Sequence, residues 1–319
     1  MQTRAMFRMI PAELQCKVIE LPAAERCPIV LFTGPQLRHE RFALRMQAEF
    51  PGLVVAWIQV APPGEQHSRY GIHDVLSPAI KFSRMLGSTE GRAVAIPHLR
   101  AAAKRAGQLL FRSAKRKAES QADAERRLFG EEIKQLRKTA TLTPICIVDA
   151  NSEETIAFVK SLDPYFVLTL GGAIYGRALC ECAKGLALNQ HDGWCPEYRG
   201  SDTVDWALYH RDLAKVGNTV HILTAGMDSG PILRRSTVCL VEDDTPETCF
   251  ARSVALGTEL LCEIVRELIE TKKARVFPQP QLTGQTFLRC EMTDDIRRDV
   301  RRDLQRNLIR RDIERRTNF

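Results

Sequence analysis

The sequence predicts an α/β protein of three layers, in which a mostly parallel, Rossmann-like sheet lies between helices. Two observations carry this. Short continuous apolar runs recur along the chain, as expected of strands buried on both faces. Segments of helical spacing lie between them. The first such set is Pro28-Ile29-Val30-Leu31-Phe32-Thr33, a helical pattern over residues 37–50, then Leu53-Val54-Val55-Ala56-Trp57-Ile58. Strand, helix and strand of this length make a βαβ unit with a right-handed crossover.

Composition sets the class. At 319 residues the chain is long enough for one large domain or two. A hydrophobic content of 44% and a charged content of 27% are those of a globular protein. No apolar run reaches the roughly 18 residues of a membrane-spanning helix. The start, Met1-Gln2-Thr3-Arg4-Ala5-Met6-Phe7-Arg8, lacks the apolar core of a signal peptide, which predicts a cytoplasmic protein. The net charge of +7 is concentrated in residues 100–138 and 297–316. These stretches are either solvated helix faces or surfaces for nucleic acid or an anionic substrate. The ten cysteines are scattered; Cys180-x-Cys182 with Cys195 is the one cluster, and no CxxC or histidine ligand pattern accompanies it. The expectation is reduced thiols and no metal.

In chain order, Gly34-Pro35 closes the first strand, and Leu37, Phe42, Ala43, Met46 and Phe50 mark the apolar face of the helix, which Pro51-Gly52 ends. No G-x-G-x-x-G follows the first strand, so there is no dinucleotide fingerprint. Ala61-Pro62-Pro63-Gly64 leads into an insertion over about 68–139, rich in Ala, Arg, Lys, Glu and Leu, which predicts amphipathic helices. Its role is open between a lid, an oligomer arm, a partner surface and a plain surface excursion. The sheet resumes at Pro144-Ile145-Cys146-Ile147-Val148. Ser152 is a plausible N-cap for a helix that Asp163-Pro164 stops. Tyr165-Phe166-Val167-Leu168-Thr169-Leu170 is the next strand. Gly171-Gly172 lies at its C-terminal end, where open α/β sheets bind ligands. A short helix over 177–184 precedes the apolar run that ends in Leu188-Asn189-Gln190-His191. A helix over 203–209, a strand over 218–224 and a further β segment over 232–241 follow. Thr245-Pro246-Glu247-Thr248 opens a long helix to about residue 271. Pro278-Gln279-Pro280-Gln281 is an extended linker. The tail from residue 294 carries an apolar stripe of Ile296, Val300, Leu304, Leu308 and Ile313, suited to a docking helix. The division this predicts is a catalytic domain over 1–241, carrying the insertion, and a C-terminal helical extension over 242–319.

The chemistry concentrates in two places. Side chains alternate along a strand, so Asn189 and His191 face one pocket roughly 7 Å apart. The amide can stabilise a developing oxyanion and the imidazole can move protons near neutral pH. Asp228 stands in a tight Asp-Ser-Gly-Pro turn, and a carboxylate beside a histidine fixes its tautomer. The structural alternative makes Asn189 and Asp228 turn formers and His191 a polar core residue. His221, in mid-strand, and His39, His67, His73, His98 and His210 show no partner pattern and read as surface or satisfied histidines.

Three motifs taken together, Asn189-x-His191, Pro196-x-Tyr198-Arg199-Gly200 and Asp228-x-Gly230-Pro231-Ile232, resemble the folate-dependent formyltransferases, most strongly over residues 163–238. The resemblance implies the formyltransferase version of the three-layer fold. It also implies an enzyme that moves a formyl group from 10-formyltetrahydrofolate, the donor co-substrate, to a primary amine. It makes Asn189, His191 and Asp228 catalytic, places folate contacts at Gly171, Gly172, Ile174, Gly226 and Met227, and puts Tyr198, Arg199 and Gly200 in a substrate loop. Arg199 would either contact an anionic substrate or brace that loop. Gly193 resembles the form associated with sugar and small-amine members, where tRNA enzymes more often have Ser. A nucleotide-linked amino sugar is the first expected acceptor and a hydroxylated ornithine-type amine the second, with nucleic acid the less favoured partner. No membrane is expected, and a homodimer would form through the insertion or the C-terminal helix. The alternatives are a methionyl-tRNA formyltransferase-like enzyme, a formyltetrahydrofolate deformylase, which is a hydrolase, and a non-catalytic scaffold.

Overall fold

The computed structural model describes residues 16–60, 119–279 and 284–317. Its centre is a seven-stranded sheet. In chain order the strands are β2 (Ile29–Thr33), β3 (Val54–Val60), β4 (Ile145–Ile147), β5 (Phe166–Leu170), β6 (Leu186–His191), β8 (Gly217–Ile222) and β9 (Ile232–Thr237). Their spatial order is β4-β3-β2-β5-β6-β8-β9. The first five run parallel, and β8 and β9 are added antiparallel at one edge.

Period-two alternation explains the layers. Ile29 and Leu31 of β2, Phe166 and Leu168 of β5 and Leu186 and Leu188 of β6 pack on one side. They meet Phe42, Ala43 and Met46 of α1 (Leu37–Glu49) and the apolar stripe of α6 (Pro246–Thr271). Val30, Phe32, Ile58 and Val167 point the other way. They meet Ile156 and Val159 of α3 (Glu153–Ser161) and Leu179 of α4 (Arg177–Cys180), while α5 (Thr203–Tyr209) packs in a separate cluster with Trp194 and Phe287. Every residue of β2 and β5 is buried, which is why both read as unbroken apolar runs. Truncating one of these large core residues, Phe32→Ala for example, costs about 3–5 kcal/mol.

This connectivity sets the ligand crevice. β2 has β3 on one side and β5 on the other. The chain leaving β2 enters α1 on one face, and the chain leaving β5 enters α4 on the opposite face. The two exits diverge and leave a gap at the strand C-termini, the usual place for a ligand in an open α/β sheet.

The helix ends carry the chemistry expected of them. Ser152 accepts from the Thr155 N–H at the start of α3. Thr245 and Thr248 form a reciprocal capping box at α6, with Pro246 as its first residue. α2 (Gln121–Leu136) is the described end of the predicted 68–139 insertion; the rest of that insertion, to residue 118, lies outside the described residues. α2 buries Phe129 and Ile133 against Leu44 of α1 and Ala251 of α6.

The C-terminal region is helical, as expected, and carries two short strands as well. Residues 242–317 cluster in the same compact unit as the sheet, and α6 supplies one side of its core. β10 (Lys273–Val276) pairs antiparallel with β1 (Lys17–Glu20), and β11 (Gln285–Phe287) pairs parallel with β7 (Tyr198–Gly200). The tail is two helices, α7 (Asp294–Gln305) and α8 (Leu308–Thr317), broken at Asn307, whose φ of 63° is left-handed. The break shifts the apolar register. Val300 and Ile309 are each 2% exposed, whereas Ile313, the last residue of the predicted stripe, is 40% exposed.

Candidate active site

The site begins with a register. Thr169 of β5 lies opposite Asn189 of β6, and Asn189 lies opposite His221 of β8. The three side chains therefore form a row across three strands. The Thr169 hydroxyl donates to Asn189 Oδ1 at 2.6 Å, and Asn189 Nδ2 lies 3.1 Å from His221 Nε2. His221 Nδ1 lies 2.8 Å from the carbonyl of Ile222, so Nδ1 carries the proton and Nε2 accepts from the Asn189 amide. The amide orientation of Asn189 is thus fixed from both sides. On the opposite face, Gln190 ties β6 to α6: its Nε2 donates to Val254 O at 2.9 Å and its Oε1 accepts from Thr258 at 3.2 Å.

Two residues past Asn189, His191 is buried beside the same cavity. Its Nε2 lies 3.0 Å from the carbonyl of Tyr198, an obligate acceptor, so Nε2 is the protonated nitrogen. Nδ1 is left with its lone pair, 3.4 Å from Asp228 Oδ2. Burial lowers the imidazole pKa below its ordinary value, against the pull of Asp228. The ring is a neutral base at pH 7.

Asp228 occupies the turn between β8 and β9 with a left-handed φ of 45°. Its carboxylate gathers the site. Oδ2 accepts from the Gly200 N–H at 2.9 Å; Oδ1 accepts from Asn189 Nδ2 at 3.2 Å and lies 3.4 Å from His221 Nε2. Burial alone would raise this carboxyl, but attraction to His191 and His221 when those rings are protonated, together with the Gly200 N–H, outweighs it and holds the pKa well below the usual range. The turn is clasped from outside. Gln279 Nε2 donates to Asp228 O at 2.8 Å and to Gly230 O at 2.7 Å.

Gly200, with φ of 92°, is placed by β11: a Cβ there would meet the Phe287 carbonyl oxygen. Gly193 has an equally local reason, since a Cβ there would collide with His191 Nε2 and Tyr198 O. Packing under the histidine, rather than any substrate, requires that glycine. Cys195 is buried with its Sγ 3.6 Å from Asp228 O, and burial pushes its thiol pKa well up, so it presents no thiolate.

A cavity of about 720 Å³ opens over these groups. Of the residues predicted from sequence, Asn189, His191, Asp228, Gly171, Gly172, Ile174, Gly226, Met227 and Gly200 line it. Tyr198 and Arg199 are not among the lining residues. Tyr198 belongs to an aromatic cluster, with its ring 5.7 Å from that of Phe287 and its hydroxyl 3.2 Å from His210 Nδ1. Arg199 is half-buried beside it. Some of the lining is backbone and apolar: Ile174 is 70% and Met227 39% exposed, and Gly172 has a φ of 91°. Other lining residues are charged, among them Arg38, Asp192, Asp205, Arg289 and Arg297. Burial raises Asp192 to about 7 and Asp205 to about 6, against Arg38 and Arg297 respectively. Arg297 of α7 pairs with Asp202 at 2.9 Å and Asp205 at 2.8 Å, which locks the tail onto the cavity wall.

Sequence reasoning missed His221, His39, Thr169 and Gln279. The antiparallel register of β8 against β6 would have placed His221 beside Asn189. Gln279 gave no local signal, because its partners are backbone carbonyls on a distant turn.

A family model described as formyl transferase matches residues 94–265, more than half of the 319-residue chain. The chain belongs to the formyl transferase family. The match takes in Asn189, His191 and Asp228 and stops short of Gln279, Phe287 and Arg297. A methionyl-tRNA formyltransferase of Thermodesulfovibrio yellowstonii is 30% identical over 144 residues, covering 44% of this chain and 45% of that protein. One from Anaeromyxobacter dehalogenans is 35% identical over 113 residues, covering 35% and 36%. The chain thus spans under half the length of these curated relatives. Among solved structures, a sugar N-formyltransferase from Shewanella sp FDAARGOS_354 aligns with a TM-score of 0.48 at 13% identity, covering 83% of this formyl transferase and 78% of that chain. Among the described residues no helix is long and apolar enough to cross a membrane.

Proposed function

We propose that this chain is an N-formyltransferase, moving a formyl group from 10-formyltetrahydrofolate to the primary amine of a small substrate, with a nucleotide-linked amino sugar as the favoured acceptor. The observation that carries the reading is the convergence of Asn189, His191 and His221 on one ionised carboxylate at the edge of the cavity. Formyl transfer to an amine needs a donor for the carbonyl oxygen as it gains charge and a base for the amine proton. Asn189 Nδ2, whose two hydrogens go to His221 and Asp228 in the free protein, supplies the donor when the substrate carbonyl takes one of them over. His191 supplies the base: Nδ1 takes the amine proton, and Asp228, 3.4 Å away, stabilises the imidazolium that results. The proton then returns to the departing nitrogen. Asp228 remains a carboxylate throughout, because the groups around it favour its charge.

The donor co-substrate suits the apolar lining of the cavity. Exposed Ile174 and Met227 offer apolar surface to a planar ring, and the side-chain-free Gly171, Gly172 and Gly226 let backbone approach it closely. The charged lining, with its arginines and the half-buried Asp192 and Asp205, suits a polar amine. Solved family structures hold such pairs of ligands, for example folinic acid with dTDP-3-aminofucose in the Helicobacter canadensis enzyme.

A methionyl-tRNA acceptor is the second reading, favoured by the names of the curated relatives. The segment that follows β9 here, α6 through α8, packs into the catalytic unit, which favours the small amine.

The test is tetrahydrofolate release from 10-formyltetrahydrofolate by the purified protein, alone and with dTDP-3-aminofucose, other amino-sugar nucleotides and charged initiator tRNA. Release that requires one amine and is lost in His191→Ala supports the transferase. Release without an amine makes it a hydrolase. An absence of release and of folate binding rejects the reading.

A further inference from the structure

Apart from His191 and His221, one other histidine lines the cavity among the described residues. His39 stands in the first turn of α1 and is 4% exposed. Its Nδ1 accepts from the backbone N–H of Gln36 at 3.2 Å, as the side chain of a capping box does. A ring nitrogen that accepts carries no proton, so the neutral ring holds its single proton on Nε2. That nitrogen faces Gly171: a Cβ at Gly171 would lie 2.8 Å from it. Among the described residues no side chain or carbonyl bonds Nε2. Burial and the neighbouring Arg38 take the imidazole pKa down to about 3, so the ring is an uncharged donor across the physiological range.

The charges around it are already matched. The Arg38 N–H donates to Glu125 Oε2 at 3.1 Å, and the Arg38 guanidinium to Oε1 at 2.8 Å. The N–H groups of His39 and Glu40 are turned onto Gln36 O at 3.0 and 3.2 Å. A buried carboxylate therefore answers both the helix end and the guanidinium, and this corner offers a ligand a neutral N–H rather than an anion cradle. The complement of a neutral, fixed donor is an uncharged oxygen.

We propose that His39 Nε2–H is a specificity donor of this site, binding an uncharged carbonyl or hydroxyl oxygen of the amine-bearing substrate in the gap between β2 and β5. This rests on the formyltransferase reading. The amine is favoured over the folate as the source of the oxygen because Arg38, next to His39 in the chain, lies over the Phe250 ring at 5.3 Å and near Asp192, both of which line the cavity.

The test uses the full chain with two probes, 5-formyltetrahydrofolate and dTDP-3-aminofucose, the latter replaced by whichever amine the turnover panel selects. His39→Glu keeps the cap, since Glu is a standard residue at that position, but removes the donor and sets a negative charge against the substrate oxygen. His39→Gln keeps both the cap and a donor. We expect His39→Glu to weaken the amine at least tenfold, as a raised KM with kcat within threefold, and to leave the folate Kd within twofold. Its melting temperature stays near that of the parent, and His39→Gln recovers most of the affinity. Long-range 1H–15N spectra of the free protein show the Nε2–H form at pH 7 and at pH 5. An unchanged KM in His39→Glu, a loss confined to the folate probe, or an Nδ1–H tautomer overturns the proposal. A parent protein that turns over no amine and binds no folate overturns the formyltransferase reading itself, and this inference with it.

Discussion

Replacing Asp228 with Asn tests the electrostatics of the site with little disturbance of shape. Asn tolerates the left-handed backbone of this turn, where φ is 45°, so the loop can keep its path. The carboxylate charge is what disappears. When His191 accepts a proton, the imidazolium lies 3.4 Å from Oδ2. At an effective dielectric of about 20 that contact is worth about 5 kcal/mol, or roughly three and a half decades in rate. The amide also mismatches its neighbours. Gly200 N–H and Asn189 Nδ2 both donate to Asp228, from 2.9 and 3.2 Å, and a carboxamide offers one oxygen to the two of them. The expected result is a fall in kcat of about 10³- to 10⁴-fold with the KM for 10-formyltetrahydrofolate little changed. The assay is the initial rate of tetrahydrofolate release, with circular dichroism to show that the variant is folded. A folded Asp228→Asn that keeps more than a tenth of the parent kcat refutes the assignment of Asp228 as the counter-charge of His191.

Other perturbations follow from contacts described above. Gln279→Ala leaves Asp228 O and Gly230 O without their clasp; it is expected to cost about 1–3 kcal/mol in urea unfolding and at least tenfold in kcat, and an active, equally stable variant would remove Gln279 from the site's support. Gly200→Ala forces a Cβ into the Phe287 carbonyl at a φ of 92°. The expected loss is about 2 kcal/mol or more, read by urea unfolding, and full stability would mean that the pairing of β7 with β11 is dispensable. The pH profile of kcat/KM has a definite sign. With His191 as the proposed neutral base, burial lowers its folded pKa from the ordinary histidine value, so the acid limb is expected below the range of an unperturbed histidine; an acid limb centred above 6.5 contradicts a buried, neutral His191.

The parts of the fold that were legible in sequence are those fixed by local chemistry. β2 and β5 are buried on both faces, so their apolar runs had no polar interruption to obscure them. α6 announces itself through Thr245, Pro246 and Thr248, whose side chains close its own end. Asn189 and His191 fall on one side of β6 because alternation requires it. The positions that escaped depend on pairing between distant segments. His221 becomes a site residue only once β8 is set antiparallel against β6. His39 looks like an ordinary helix residue until Gly171 is brought against its ring. Tyr198 and Arg199 belong to a motif, yet the pairing of β7 with β11 turns Tyr198 into the aromatic core. The break at Asn307 did carry a signal, since Asn is the side chain other than Gly that most readily takes a left-handed turn.

The pairing of β11 with β7, together with the Gln279 clasp, bears on when during synthesis the protein becomes competent. Every residue of the three-part motif has been polymerised once the ribosome passes Ile232. The Gly200 amide that holds Asp228 is nevertheless seated by Phe287, and the turn that carries Asp228 is held by Gln279. A nascent chain that ends between these positions carries the whole signature but lacks the strand that seats it. The site is thereby completed only when residues 279–287 have emerged and folded back, so a chain terminated before them would be recognisable as a family member by sequence while the groups of its candidate site remained unassembled.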